Sequence, residues 1–394
     1  MKYFNSVILA LFVIVSFSCN QNDINERVRQ FEGNITLASQ EAVDDFGQQG
    51  YESVTGDLII DHDPVSGTVI TSLEALSGLQ NIEGDLKIWN TFQLINFNGL
   101  EELETIDGDL IILNNENLTN VTSLNMLNSI GGKINFHNNR QLRATGQFES
   151  LSSVGQSISI VGNPRLVTIE GFNEISQING QLQIWSNHNL QEISGFVSLE
   201  TIDTDLDIND NEVLTHLNAF ESLNHVGWSI KLNNNDNLVS TAGLSNITEI
   251  GKSLEISGNK SIEQIEGFQL IEEIPEFLII NSNENLKKAE SLEKLNSCGN
   301  LYVFSNNALN SLIFNDLSTV NYQLSVLRNP ELTTLDGFNN LAVIGYGLAI
   351  NSNDHLADFC GIQSIVANDF SGAYEVYDNA INPTQQELTD GNCN

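Results

Sequence analysis

One unit, an apolar residue, spacers with Gly, apolar-x-apolar and an Asn-rich turn, returns along this chain from Ile130 to Asn139 and again at Ile106–Asn115, Ile178–Asn187, Ile202–Asn211, Val226–Asn235 and Ile250–Asn259. Aligning on the first apolar strand residue gives Leu58, Leu86, Leu110, Ile134, Ile158, Leu182, Leu206, Ile230, Leu254, Leu278, Leu301, Leu324, Leu348 and Tyr374. A fixed step of about 24 residues makes each unit too small to bury its own apolar set, so neighbours must stack into one continuous core. The spacing leaves no room for a ten-residue helical stripe in each unit, and period-two pairs such as Leu110 and Ile112 or Leu182 and Ile184 read as strand. The expected body is therefore mainly β, a solenoid of about fourteen coils in strands and turns. At ~4.8 Å per stacked strand that makes a rod on the order of 65 Å long.

Further along each coil come an apolar position (Leu142, Leu166, Leu190, Leu214) and a small residue before a large apolar one (Gly171-Phe172, Gly195-Phe196, Ala219-Phe220). One register holds Asn115, Asn139, Asn163, Asn187, Asn211, Asn235, Asn259, Asn283, Asn306, Asn329 and Asn353, with Asn379 beyond them. Inward amides at a stacked bend can hydrogen-bond to turn backbone and to one another, so this column reads as a structural ladder. Metal binding is the competing reading for runs such as Asn233–Asn237. Neither the EF-hand spacing nor the Gly-rich calcium β-roll pattern is present, and no metal or cofactor is expected.

The pattern apolar-x-Gly-x-Leu-x-Ile-x-x-Asn-x-x-Leu resembles the receptor L-domain repeat, a relative of leucine-rich repeats found in insulin- and EGF-receptor ectodomains and in bacterial surface lipoproteins. The resemblance covers roughly Val54 to Val376. It departs from the standard leucine-rich repeat by one spacer before the strand and one after the Asn, which implies a straighter right-handed β-helix in place of a horseshoe. Fold alone does not decide function.

The N-terminus divides before the repeat begins. Met1-Lys2 and the apolar run Val7 to Phe17 read as a signal peptide over residues 1–18, since the run is about half the ~20 residues a spanning helix needs. Ser16-Phe17-Ser18-Cys19 resembles a bacterial lipobox, with Ser16 where that motif usually has Leu. The resemblance implies cleavage before Cys19, lipidation of Cys19 and an outer-membrane, surface-exposed lipoprotein. An ordinary signal peptide is the alternative. Residues 19–33 are then the lipidated Cys and a polar tether. Asn34–Leu37 as a strand and Ser39–Phe46 as a helix suggest an N-terminal cap over 34–53, ahead of a solenoid over 54–359. The last coil and a C-terminal cap fill 360–394. There Cys360 and Cys393 flank the point where the repeat fades, and in an exported protein they read as a disulfide; two unpaired thiols are the alternative. Cys298 occupies an apolar column and reads as a buried hydrophobe.

Chemistry is sparse. With 15 Lys plus Arg against 51 Asp plus Glu, the formal net charge is -36, which disfavours nucleic acid as a partner. No nucleophile elbow, zinc-protease motif or phosphate loop occurs, the six His residues share no register, and Asp57, Asp85, Asp109 and Asp205 recur in one column as turn or solvated positions. Outward strand positions carry Trp89, His137, Trp185, Phe304 and Tyr377, with Lys87 and Lys231 nearby, whereas Trp228, Tyr322 and Tyr346 fall just before their strands. Aromatics on a rigid sheet can anchor a protein or a sugar, so Trp89, His137, Trp185 and Phe304 are the candidate ligand-binding residues. The reading is a non-catalytic binding or adhesion module for a protein or glycan. A carbohydrate-active β-helix enzyme and a structural envelope spacer are the alternatives.

Overall fold

The computed structural model describes residues 29–62, 67–368 and 370–394. The signal peptide expected over 1–18, Cys19 and most of the tether lie outside the described residues.

The chain forms a parallel β-solenoid of about fourteen turns of ~24 residues, with little helix. Its principal sheet stacks one strand per turn in unbroken register: Leu58 beside Leu86, Leu110, Ile134, Ile158, Leu182, Leu206 and onward to Leu348 and Tyr374. The register follows from the side-chain period of two. A slip of one residue would turn every Leu and Ile of a strand out of the core. Shorter two-residue strands, such as Thr201–Ile202 beside His225–Val226, form further parallel sheets on the other sides of each turn.

The repeat begins earlier than the expected boundary at Val54. Gln30–Phe31 pairs with Ser53–Val54, and Ile35–Leu37 pairs with Leu58–Ile60. The strand–helix pair expected as a cap is thus a first coil in full register, and the tether expected to reach residue 33 has already become strand at Gln30. Helix α1 (Gln40–Gln48) starts at Ser39, whose hydroxyl accepts from the Ala42 amide at 3.2 Å, and buries Val43 and Phe46. At the other end α2 (Cys360–Ala367) and α3 (Gln385–Thr389) close the stack. A capping box between Thr384 and Glu387 opens α3, and a disulfide joins Cys360 to Cys393.

The core is one continuous column of Leu, Ile and Phe. Phe148, Phe172, Phe196 and Phe220 stack along it, with centroids 4.9 Å apart for the first two steps and 6.2 Å for the third. Gly195 precedes one of these rings because a Cβ there would collide with the carbonyl of Gly171 in the coil below. Cys298 is fully buried in the same core, and desolvation pushes its thiol up to about 12, so it stays protonated.

Candidate functional site

Each strand ends in a sharp turn that the sequence spells twice. The residue after the strand adopts left-handed backbone, as Asn90, Asn114, Asn138, Ser186, Asp210, Asn234, Ser282, Ser305, Arg328, Ser352 and Asp378 all do, with φ from 52° to 58°. Asn, Asp, Gly and Ser dominate this column because they tolerate that region best. The next residue is the ladder Asn. Asn139 Nδ2 donates to Ile112 O at 2.9 Å and to Asn163 Oδ1 at 3.3 Å, while its Oδ1 accepts from Asn115 N and Asn115 Nδ2, both at 3.1 Å. The pattern repeats through Asn353 and ends on Asn379, whose amide is met by Asn382 Oδ1 at 2.9 Å. At the N-terminal end Thr91 replaces Asn and sends its N–H and hydroxyl to Asn115 Oδ1. The ladder residues from Asn115 to Asn353 are all fully buried, so each unpaired group would carry a full desolvation penalty.

A second ladder lies at the opposite end of the strand. Asp57 Oδ1 accepts from Asp85 N at 2.9 Å, Asp85 Oδ1 from Asp109 N at 2.7 Å, and Asp109 Oδ1 from Lys133 N at 2.9 Å. Three members of the repeated acid column of the sequence, Asp57, Asp85 and Asp109, are thus bonded to turn backbone, whereas Asp205 has no such bond among the described residues. Burial works to raise the Asp85 carboxyl, but the Asp109 N–H and the Lys87 ammonium at 2.7 Å outweigh it and hold the group below the usual carboxylate range.

This second ladder decides what the neighbouring corner can display. Two residues before the strand, the backbone runs in one column through Gly56, Gly84, Gly108 and Gly132, with the N–H groups of Gly84, Gly108 and Gly132 each donating to the Gly carbonyl below. A Cβ on Gly108 would strike Asp85 Oδ1 and the backbone of Gly84. Where no side chain caps the next coil, the column can carry a side chain, as at Gln156, Thr204, Trp228, Lys252, Glu276, Tyr322 and Tyr346, although Gly299 and Gly372 keep Gly there because a Cβ would strike the backbone of the coil below. From Trp228 onward the strands of these coils also begin earlier, as in Ser229–Asn233, Ser253–Ser257, Gln323–Leu327 and Gly347–Asn351, whereas the Thr204 coil keeps the ordinary start at Leu206. Strands Glu273–Asn281 and Ser297–Phe304 continue through the corner, with a one-residue bulge in their pairing between Ile274 and Phe277. Backbone pairing thus replaces side-chain capping, and the corner residue is free to point into solvent.

The result is an aromatic rim along the C-terminal half. Trp228 is 47% exposed, Tyr322 51%, Tyr346 75% and Phe277 38%. Tyr322 and Tyr346 sit on consecutive coils with ring centroids 6.5 Å apart, and Phe277 lies 6.1 Å from Tyr302. Lys252 Nζ sits 4.0 Å from the centroid of the Trp228 ring, a cation–π contact.

The candidate residues on the sheet face lie in one outward column, running Asp61, Trp89, Leu113, His137, Val161, Trp185, Asn209 and, further up, Asn281, Phe304 and Leu327. They share a face, but Trp89, His137, Trp185 and Phe304 are each half-buried among their neighbours. The indole N–H groups of Trp89 and Trp185 are sealed from solvent without a partner in hydrogen-bond geometry. That of Trp185 lies close enough to Asp207 to pull its carboxyl downward, against the larger effect of burial, which raises it. His137 Nε2 meets Ser159 Oγ at 2.9 Å, and desolvation, helped by Lys133, holds its imidazole below the usual range.

A polar furrow follows the left-handed column, with clefts of about 550 Å³ beside Asn114 and beside Asp210. Neighbouring coils cross it with exposed ion pairs, Arg140–Glu116 at 3.6 Å and Lys260–Asp236 at 2.6 Å. Pairs this exposed contribute little.

Phe277 was not among the sequence candidates, and Trp228, Tyr322 and Tyr346 stood there only as residues before their strands. The signal that marks the rim is an aromatic residue at Trp228, Tyr322 and Tyr346 in a column that elsewhere often holds Gly.

A family model described as Receptor L domain matches residues 52–154, in the N-terminal part of the stack and short of the aromatic rim. No curated protein matches the chain. Among solved structures the chain is similar to one titled "Crystal structure of TLR13-ssRNA13 complex", at 14% identity and a TM-score of 0.15, over 78% of this chain and 69% of that one.

Proposed function

We propose that this chain is a non-catalytic binding or adhesion module that holds a protein or glycan partner against its C-terminal aromatic rim. The observation that carries this reading is the pair Tyr322 and Tyr346, 51% and 75% exposed on adjacent coils of a stack fixed by the buried Asn ladder and by parallel backbone pairing. A rigid backbone lets exposed rings bind without first ordering a loop. The Receptor L domain match at residues 52–154 supports a binding role at the level of the fold. The test is a screen of the full chain against surface proteins and glycans, followed by Tyr322→Ala/Tyr346→Ala and, separately, Trp89→Ala/Trp185→Ala. Loss of about 2 kcal/mol at an aromatic anchor weakens binding roughly thirtyfold. The rim variant should show that loss and the sheet-face variant should not; the reverse pattern would return the site to Trp89, His137, Trp185 and Phe304.

The proposal includes the anchor. Lipidation of Cys19 would tether the stack to the outer membrane with the rim held away from the lipid surface. Cys19→Ala should then move the protein out of the membrane fraction, and unchanged fractionation would refute the anchor.

A further inference from the structure

We infer that the partner at the rim is an extended, uncharged glycan lying along the solenoid axis across Tyr322 and Tyr346. The inference rests on the binding-module reading above and names its ligand class. Three features of the corner point to a sugar chain.

The first is spacing. Coils rise by about 4.8 Å each, close to the length of one hexopyranose ring along an extended polysaccharide. The Tyr322 and Tyr346 centroids stand 6.5 Å apart with the rings tilted by 44°, somewhat more than one coil step, so neighbouring sugars of a chain laid along the axis can each meet one ring with a C–H face.

The second is the chemistry between the rings. Asn300, Tyr302 and Gln323 lie half-buried on the coils beside Tyr322. The Tyr302 hydroxyl donates to Asn300 Oδ1 at 3.3 Å, and the Asn300 amide nitrogen donates to Glu276 O at 3.2 Å. Mixed donors and acceptors beside an apolar face suit hydroxyl groups. Across residues 317–348 the only basic side chain is Arg328, which sits at the left-handed turn past the strand. Phosphate, sulfate and uronate polymers therefore have no counter-charge here, and the overall charge of -36 repels them.

The third is what the backbone withholds. Strands Gln323–Leu327 and Gly347–Asn351 are paired on both edges. A peptide cannot add to the sheet at this corner, which removes the main source of affinity for an extended peptide. Stacking and side-chain hydrogen bonds are what remain.

The test is affinity electrophoresis of the purified full chain through gels containing mixed-linkage glucan, xylan or galactomannan, with polygalacturonate as the anionic control. At least one neutral gel should retard the parent, polygalacturonate should not, and Tyr322→Ala/Tyr346→Ala should weaken the retardation at least tenfold. Circular dichroism of that variant must match the parent, and Tyr346→Phe should keep most of the binding, because stacking needs the ring. Retardation that survives the double alanine variant, or that appears only with polygalacturonate, overturns the inference. So does the absence of retardation in every neutral gel. In that last case a surface protein captured by the parent and lost by the double variant leaves the binding-module reading standing, while capture of nothing removes that reading as well.

Discussion

Replacing Asn211 by Leu tests how much of this stack hangs on its buried amides. Asn211 Oδ1 accepts from the Asn187 N–H at 3.2 Å and from its side-chain amide at 3.4 Å, while Asn211 Nδ2 donates to Ile184 O at 2.8 Å. The leucine leaves the Asn187 N–H and the Ile184 carbonyl buried without those partners. At ~1–3 kcal/mol each, the two orphaned groups cost about 2–6 kcal/mol. Burying leucine offsets about 1.5–3 kcal/mol of this. The net loss is on the order of 1–3 kcal/mol, which moves a urea midpoint by about 0.3–1 M for m near 3 kcal/mol/M. Because a solenoid can open locally, amide hydrogen exchange gives the sharper reading. The Asn187 amide should exchange faster in the variant, whereas Asn259, bonded to Asn283 Oδ1 at 3.0 Å two coils away, should not. Asn211→Asp sharpens the sign. It keeps the acceptor but turns a carboxylate toward Ile184 O, so its folded-state pKa is raised. Its stability should fall as pH rises above the ordinary carboxylate range and recover on acidification. An unchanged midpoint together with unchanged exchange at Asn187 in Asn211→Leu would refute the ladder as a source of stability.

Removing the Cys360–Cys393 bond with paired serines should cost about 2–5 kcal/mol and loosen the C-terminal cap first, seen as faster exchange in α2 and α3; a reductant-insensitive melting curve of the parent would contradict this. Asp207 is 6% exposed and its carboxyl is raised, chiefly by burial, so folding binds its proton more tightly than the unfolded chain does. Asp207→Asn should therefore gain stability relative to the parent as pH rises from about 4 toward 8. A difference that does not change with pH would contradict the assignment. Phe196→Ala empties a fully buried slot between Phe172 and Phe220 and should cost about 3–5 kcal/mol in denaturation, while a loss below 1 kcal/mol would show that the ring column collapses to fill the gap.

The sequence by itself determined the solenoid. Leu58 to Tyr374 at a near-constant step fixed the stacking, the period-two pairs fixed which side chains face inward, and Asn115 to Asn353 in one register marked the buried ladder. These are legible because each coil repeats the same local requirement. A stacked parallel strand has no other neighbours to satisfy it. The first coil was legible only in part: Ile35–Leu37 was visible as a strand, but its register with Leu58–Ile60 depends on a contact between two different coils. The display surface was legible only as a position: the sequence puts Trp228, Tyr322 and Tyr346 just before their strands but does not show that they stand in solvent. Trp89 and Tyr346 are both aromatic and both near a strand, yet one is half-buried and the other 75% exposed. Trp89 lies on the sheet face between Asp61 and Leu113, whereas Tyr346 stands at the corner, where the coil below decides what is displayed. Asp57, Asp85 and Asp109 cap the N–H above them and force Gly at the corner, whereas the uncapped coils extend the strand and turn Trp228, Tyr322 and Tyr346 outward. Exposure at a corner is set by a neighbour about 24 residues away, and only the stacked structure brings the two together.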